Sequence, residues 1–138
     1  MRTHLSERIV LEQWPAGDRA AWAAAQVDSV FGAVGGGGAS SWRPISLKST
    51  ERGYGRYLHW LEQRGELDYH ASPGARATVT RLKAYQAELV ASGYKEHTIA
   101  GRLRAVGDAV RVMDPDRDTP LINRVARRMK ARASRAAP

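Results

Sequence analysis

The chain contains no cysteine, which excludes both a disulfide framework and a thiolate metal site. Its four histidines, His4, His59, His70 and His97, are scattered, and no group of Asp, Glu or His has ligand spacing, so neither a metal nor a cofactor is implied. No apolar run approaches the roughly 20 residues that a membrane helix requires. Residues 1–11 are charged and lack the apolar stretch and small-residue cleavage site of a secretory signal. The expectation is a soluble, cytoplasmic protein. Sustained alternation of β-branched residues is missing too, which argues against a sheet. Catalytic patterns are equally scarce. Gly35–Gly38 is not followed by the Gly-Lys-Ser/Thr of a phosphate loop, Gly53-Tyr54-Gly55 is not preceded by a strand, and Ser, His and Asp occur only far apart. No intrinsic active site and no small-molecule substrate are expected.

What the chain has is positive charge, unevenly placed. Its 138 residues suit one ordinary domain, with a net charge of +8 and a pI near 10.4. Through residue 75, eight basic residues balance eight acidic ones; from residue 76 onward, fourteen basic residues face six acidic ones. An excess confined to one half points to a polyanionic partner. Nucleic acid is favoured over an anionic membrane because no strongly amphipathic inserting helix accompanies the charge.

Ala, Leu, Arg and Glu at helical spacing predict an all-α chain. Residues 17–29, after Pro15, read as an Ala-rich helix capped by Asp18 and carrying Trp22. The run Gly35–Ser41 then reads as a flexible break, dividing an N-terminal arm and linker (1–41) from a helical domain (42–138). A helix over 46–64 is supported by Leu47, Tyr54, Leu58 and Leu61, with Gly65 as its left-handed stop. Gly53 and Gly55 cost that helix about 1 kcal/mol each in propensity; they mark either a close approach of a helix or DNA, or tolerated local weakness. After a turn at 71–74, a helix over 80–92 carries Leu82, Tyr85 and Leu89, with Thr80 as cap and Gly93 as stop. The helix over 96–113 bears the stripe Ile99, Leu103, Val106, Val110 and Met113 and ends at Asp114-Pro115. A last helix over 119–134, with Thr119 as cap and Pro120 at its first position, turns Leu121, Ile122, Val125 and Met129 inward. Together, 46–64, 80–92, 96–113 and 119–134 predict a compact four-helix domain with a helical arm.

Three clusters on these helices are candidates for phosphate or base contact. On the last helix Arg124, Arg127, Arg128, Lys130 and Arg132 coat the sides away from the apolar stripe, and no carboxylate interrupts them. A merely solvated face would mix signs for i, i+4 pairing, whereas an unbroken basic one suits counterion release from a phosphate backbone. The start of the 96–113 helix offers His97, Thr98 and Arg102, where backbone N–H groups also favour phosphate. The start of the 46–64 helix offers Lys48, Ser49 and Arg52. Tyr54, Tyr57, Trp60 and Tyr85 stand beside aliphatic residues at helical spacing and are expected in the core rather than as stacking platforms.

The order of these residues resembles a known family. Gly53-Tyr54-Gly55-Arg56-Tyr57-Leu58 with Trp60-Leu61, then Val79-Thr80 opening a helix with Tyr85 and Leu89, then Thr98-Ile99 with Arg102-Leu103, is similar to the core-binding domain of tyrosine recombinases, the phage integrase family. The likeness covers about residues 42–134 and extends into the arm through Pro15, Asp18, Arg19 and Trp22, and through Trp42-Arg43-Pro44. It implies a SAM-like helical domain that clamps duplex DNA. Lys48, Ser49 and Arg52, and His97, Thr98 and Arg102, would be directed at the major groove, and Arg127, Arg128 and Lys130 at phosphate. It also implies DNA integration and recombination as the process, other recombinase protomers on DNA as further partners, and a location on the nucleoid. The family's catalytic half, with its tyrosine nucleophile, is not in this chain, and none of Tyr54, Tyr57, Tyr69, Tyr85 or Tyr94 matches that nucleophile. Strand cleavage by this polypeptide alone is therefore not expected. One departure is Asp118-Thr119-Pro120-Leu121, where relatives carry a Trp-containing segment. Two alternatives stay open: a helical module that docks its basic helix on an acidic protein, and an autonomous DNA-binding regulator.

Overall fold

The computed structural model describes residues 3–27 and 37–115. The expected last helix, with Arg124, Arg127, Arg128, Lys130 and Arg132, lies outside the described residues. Within them the chain is all-helical and contains no strand: α1 (Thr3–Ser6), a single 3₁₀ turn (Leu11–Gln13), α2 (Ala16–Ala25), α3 (Pro44–Gln63), α4 (Pro73–Arg76), α5 (Val79–Ala91) and α6 (Glu96–Met113). Among the described residues no helix is long and apolar enough to cross a membrane.

Local signals explain most of the helix limits. Pro44 opens α3 at its first turn, where a missing N–H costs nothing. Gly65 closes it with φ of +70°. The amide of Gly65 donates to Glu62 O at 2.9 Å and that of Glu66 to Leu61 O at 2.9 Å, the paired bonds of a Schellman stop. Gly93, at φ +88°, repeats the device after α5, with Gly93 N to Val90 O at 3.0 Å and Tyr94 N to Leu89 O at 3.2 Å. The cap of α5 differs from expectation by two residues. Thr78 is the cap, its hydroxyl accepting the Arg81 amide at 3.2 Å, while Thr80 falls inside the first turn. The expected turn at 71–74 contains the start of α4, capped by Ser72. Asp114 ends α6 as expected and then reaches across the fold, its carboxylate accepting the Gly74 amide at 2.9 Å.

The core lies where α6 crosses α3, with Tyr54, Tyr57, Leu58, Trp60 and Leu61 of α3 meeting Ile99, Leu103, Val106 and Val110 of α6, and Leu82, Tyr85 and Leu89 of α5 closing one side. All four aromatic residues expected inside are buried. Tyr57, Trp60 and Tyr85 form one ring cluster, with centroids 5.0–5.7 Å apart. The glycines of α3 are contact points. A Cβ on Gly53 would collide with the Cβ of Ala105 in α6, and a Cβ on Gly55 would stand 2.5 Å from the carbonyl oxygen of Ile9. Both glycines thus serve close approach within the protein.

The N-terminal arm packs against the helices beyond residue 41. Leu5, Ile9, Trp14, Trp22 and Ala25 belong to the same core as α3 and α6. Trp14 packs against Trp22 at 6.2 Å and edge-on to Tyr54 at 5.1 Å, and Trp22 meets Trp42 at 6.4 Å. The far end of the glycine-rich stretch also packs, with Ala39 buried and its amide donating to Ala25 O at 2.8 Å. The reason is area. Two tryptophans expose more apolar surface than one ten-residue helix can cover, so the arm spreads over α3 and α6 instead of standing apart.

Asp18 is likewise not a cap. It is the third residue of α2, which begins at Ala16, and it is buried. Its carboxylate takes the Tyr54 hydroxyl at 2.5 Å and the Arg76 guanidinium at 2.5 Å. Arg76 also donates to Asp68 O at 2.6 Å, and its own carbonyl accepts the Tyr57 hydroxyl at 2.6 Å. Burial pushes the Asp18 carboxyl upward, and the Tyr54 hydroxyl and Arg76 charge pull it back.

Candidate nucleic-acid interface

One side of α3 never meets the core. Pro44, Ile45, Ser46, Lys48, Ser49 and Arg52 are exposed, and the side continues through half-buried Arg56 and His59. Lys48, Arg52 and Arg56 follow at intervals of four, which stacks them along one helix face with a rise of about 6 Å per step. Ser49 lies beside them. The sequence-predicted trio Lys48, Ser49 and Arg52 is therefore brought together on an open surface.

The arm supplies the edge of this surface. Ile9 N donates to Gly55 O at 3.1 Å, which seats the arm backbone directly on α3. Arg8 is thereby fixed beside Gly55, its Cβ 3.4 Å from where a Gly55 Cβ would lie. Glu7 reaches His59 at 3.2 Å on the same side. Between arm and helix lies an open cleft of about 150 Å³, walled by Arg8, Glu12, Lys48, Glu51 and Arg52 and by the arm at Ile9–Leu11. The cleft carries three cations and two carboxylates. Glu51 accepts the Trp22 indole N–H at 3.3 Å, an anchor to the arm.

The α6 candidates divide. His97 is exposed and Thr98 half-buried in the first turn, after Lys95, which takes the cap position without a side-chain capping bond. Arg102, one turn further, is turned toward the protein. Its Nη1 donates to Leu5 O at 2.7 Å and its guanidinium lies 4.5 Å from the centre of the Tyr94 ring. Tyr94 in turn shares a 3.0 Å hydroxyl contact with Ser6. In this arrangement Arg102 holds the arm down.

Beyond α3, the described surface arginines other than Arg102 are matched with acids: Arg64 with Glu66 and Glu88, Arg81 with Glu66, and Arg104 and Arg111 with Asp108. No ion pair of this kind is formed by Arg8, Lys48, Arg52, Arg56 or Arg102 among the described residues. Arg56 feels the consequence. Burial lowers its guanidinium below the ordinary value, and the charges of Arg102, Arg8 and Arg52 lower it further, while Tyr85 acts the other way. Arg8 and Arg56 carry no signal readable in the sequence, because what joins them is the seat of the arm on Gly55. Among the described residues no group of three His, Asp or Glu is placed to hold a metal.

Comparison of the chain with family models, curated proteins and solved structures finds no match. The resemblance to the recombinase core-binding domain rests on the order of motifs in the sequence.

Proposed function

We propose that this chain is a double-stranded-DNA-binding module of the kind found in site-specific tyrosine recombinases, acting on nucleoid DNA in integration or recombination and non-catalytic by itself. The observation that carries the reading is the segregation of charge. The outer side of α3 and the adjoining arm gather Lys48, Arg52, Arg56 and Arg8 without salt-bridging them, whereas the arginines of α5 and the second half of α6 are paired. Unpaired cations on a continuous surface favour binding to phosphates. The run Arg124 to Arg132 adds a second basic element. Ser49, His97 and Thr98 supply polar groups that can face base edges. Other protomers bound to the same DNA are the expected protein partners.

Fluorescence anisotropy of a labelled random-sequence duplex tests this at about 50 and 200 mM salt. Several phosphate contacts predict a loss of affinity of roughly a hundredfold or more between those conditions. Arg127→Ala with Arg128→Ala should weaken binding to all duplexes alike and flatten the salt dependence. Absence of binding at low salt sinks the proposal, and salt-sensitive capture of an acidic protein that duplex DNA does not compete away would replace it with protein docking.

A further inference from the structure

We infer that Arg8, Arg52 and Arg56 form one phosphate clamp on the DNA backbone, assembled only when the N-terminal arm is seated on α3. The inference rests on the DNA-binding reading and deepens it by assigning the contact to residues on two separate segments. Arg52 and Arg56 stand one helical turn apart on the same side of α3. Arg8 reaches that side because the arm backbone pairs with Gly55, where a side chain would strike Ile9 O. Arg8 and Arg52 also wall the same open cleft. The arm is pinned from its other flank by Arg102 through Leu5 O and by Tyr94 through Ser6, so the approach of Arg8 to α3 is built into the fold.

Like charges gathered at a half-buried position repel one another, and folding gains nothing from that repulsion. The described structure gives Arg56 no carboxylate to offset it, although Glu51 and Glu12 line the neighbouring cleft. A phosphate oxygen would supply the missing negative charge and accept from guanidinium forks, whose planar donors suit that geometry. The backbone of duplex DNA is the occupant to which the inference commits, because Lys48 and Ser49 continue the same open side along α3 toward further phosphates and bases.

The test pairs Arg8→Gln with Arg56→Gln in one protein, keeping an unbranched polar side chain while removing both charges, and compares it with the wild type. Binding of a labelled random duplex is followed across salt, and thermal unfolding is recorded on the same samples. The clamp predicts at least tenfold weaker binding at low salt, a salt slope shallower by about two, and a Tm no lower than that of the wild type. A purely structural role for these arginines would lower Tm and leave the slope unchanged. Arg8→Glu, at an exposed position that does not threaten folding, should weaken binding more strongly than Arg8→Gln. Wild-type binding with unaltered affinity and slope in these variants overturns the clamp and leaves the DNA reading standing. Failure of the wild type to bind any duplex overturns both.

Discussion

Arg76 and Arg56 place the same functional group in opposite surroundings. Arg76, 1% exposed, is held by the Asp18 carboxylate and the Asp68 carbonyl, with Tyr54 completing the shell around Asp18. Arg56, half-buried on the outer side of α3, has other guanidinium groups in its field and forms no ion pair among the described residues. Removing a charge from water is costly unless partners replace the solvent. Two of the three guanidinium nitrogens of Arg76 are bonded within the chain, Nε being the one without a partner. Arg56 is left for an external anion. The difference separates a charge that fixes the packing of the arm from one that folding alone does not explain.

The comparison can be broken most forcefully at the paired end. Asp18→Ala or Arg76→Met should each cost about 3–5 kcal/mol, since either leaves its former partner charged and buried. Urea unfolding measures the loss, and a value near zero would mean that the pair is open to water. Alkaline titration sharpens the same contrast. Burial raises the phenols of Tyr54 and Tyr57 above their ordinary value of 10, with Asp18 adding to the effect at Tyr54. Because the folded state holds these protons more tightly, their contribution is fully present below pH 10 and lost as pH rises beyond it. Stability should then fall by up to about 1.4 kcal/mol per pH unit for each of the two tyrosines, and their ultraviolet ionisation step should coincide with unfolding. Ionisation of Tyr54 or Tyr57 near pH 10 in the folded protein, read as the part of the phenolate signal lost on Tyr54→Phe or Tyr57→Phe, would contradict this. A smaller effect is expected where arm and helix touch. Gly55→Ala should cost about 1–3 kcal/mol by overpacking against Ile9 O, whereas Gly101→Ala, facing open space in α6, should gain about 0.5–1 kcal/mol. Equal effects at the two glycines would show that the seat yields.

What was readable in advance was what local chemistry decides. The stops at Gly65, Gly93 and Asp114 were legible because each is set by residues within a turn of the helix end. The aromatic core was legible from spacing along α3 and α5. Asp18 was not, since the group that claims its carboxylate lies 58 residues away in sequence, and an acid near a helix start has the pattern of a cap. Thr80 and Thr78 compete for one role with the same side chain, and the extended backbone at Thr78 decides between them. In the site, Lys48, Ser49 and Arg52 were visible as a polar run on one helix. Arg8 and Arg56 were not, because their proximity depends on a pairing between distant segments. Arg102 was recognised as basic but not as the arm's tether, for its acceptor is a backbone carbonyl that any residue at position 5 would offer.

The shared core has a consequence for how the chain can be divided. The arm is held to α3 by the Trp14 ring on Tyr54, the Trp22 indole hydrogen bond to Glu51 and the Asp18 carboxylate, attachments that do not depend on an unbroken chain between residues 28 and 36. A single proteolytic nick in that interval would therefore leave two pieces clasped together, as in fragment complementation. A polypeptide begun at Trp42 would instead lay bare one flank of Tyr54 and strand Arg76 without its counterion.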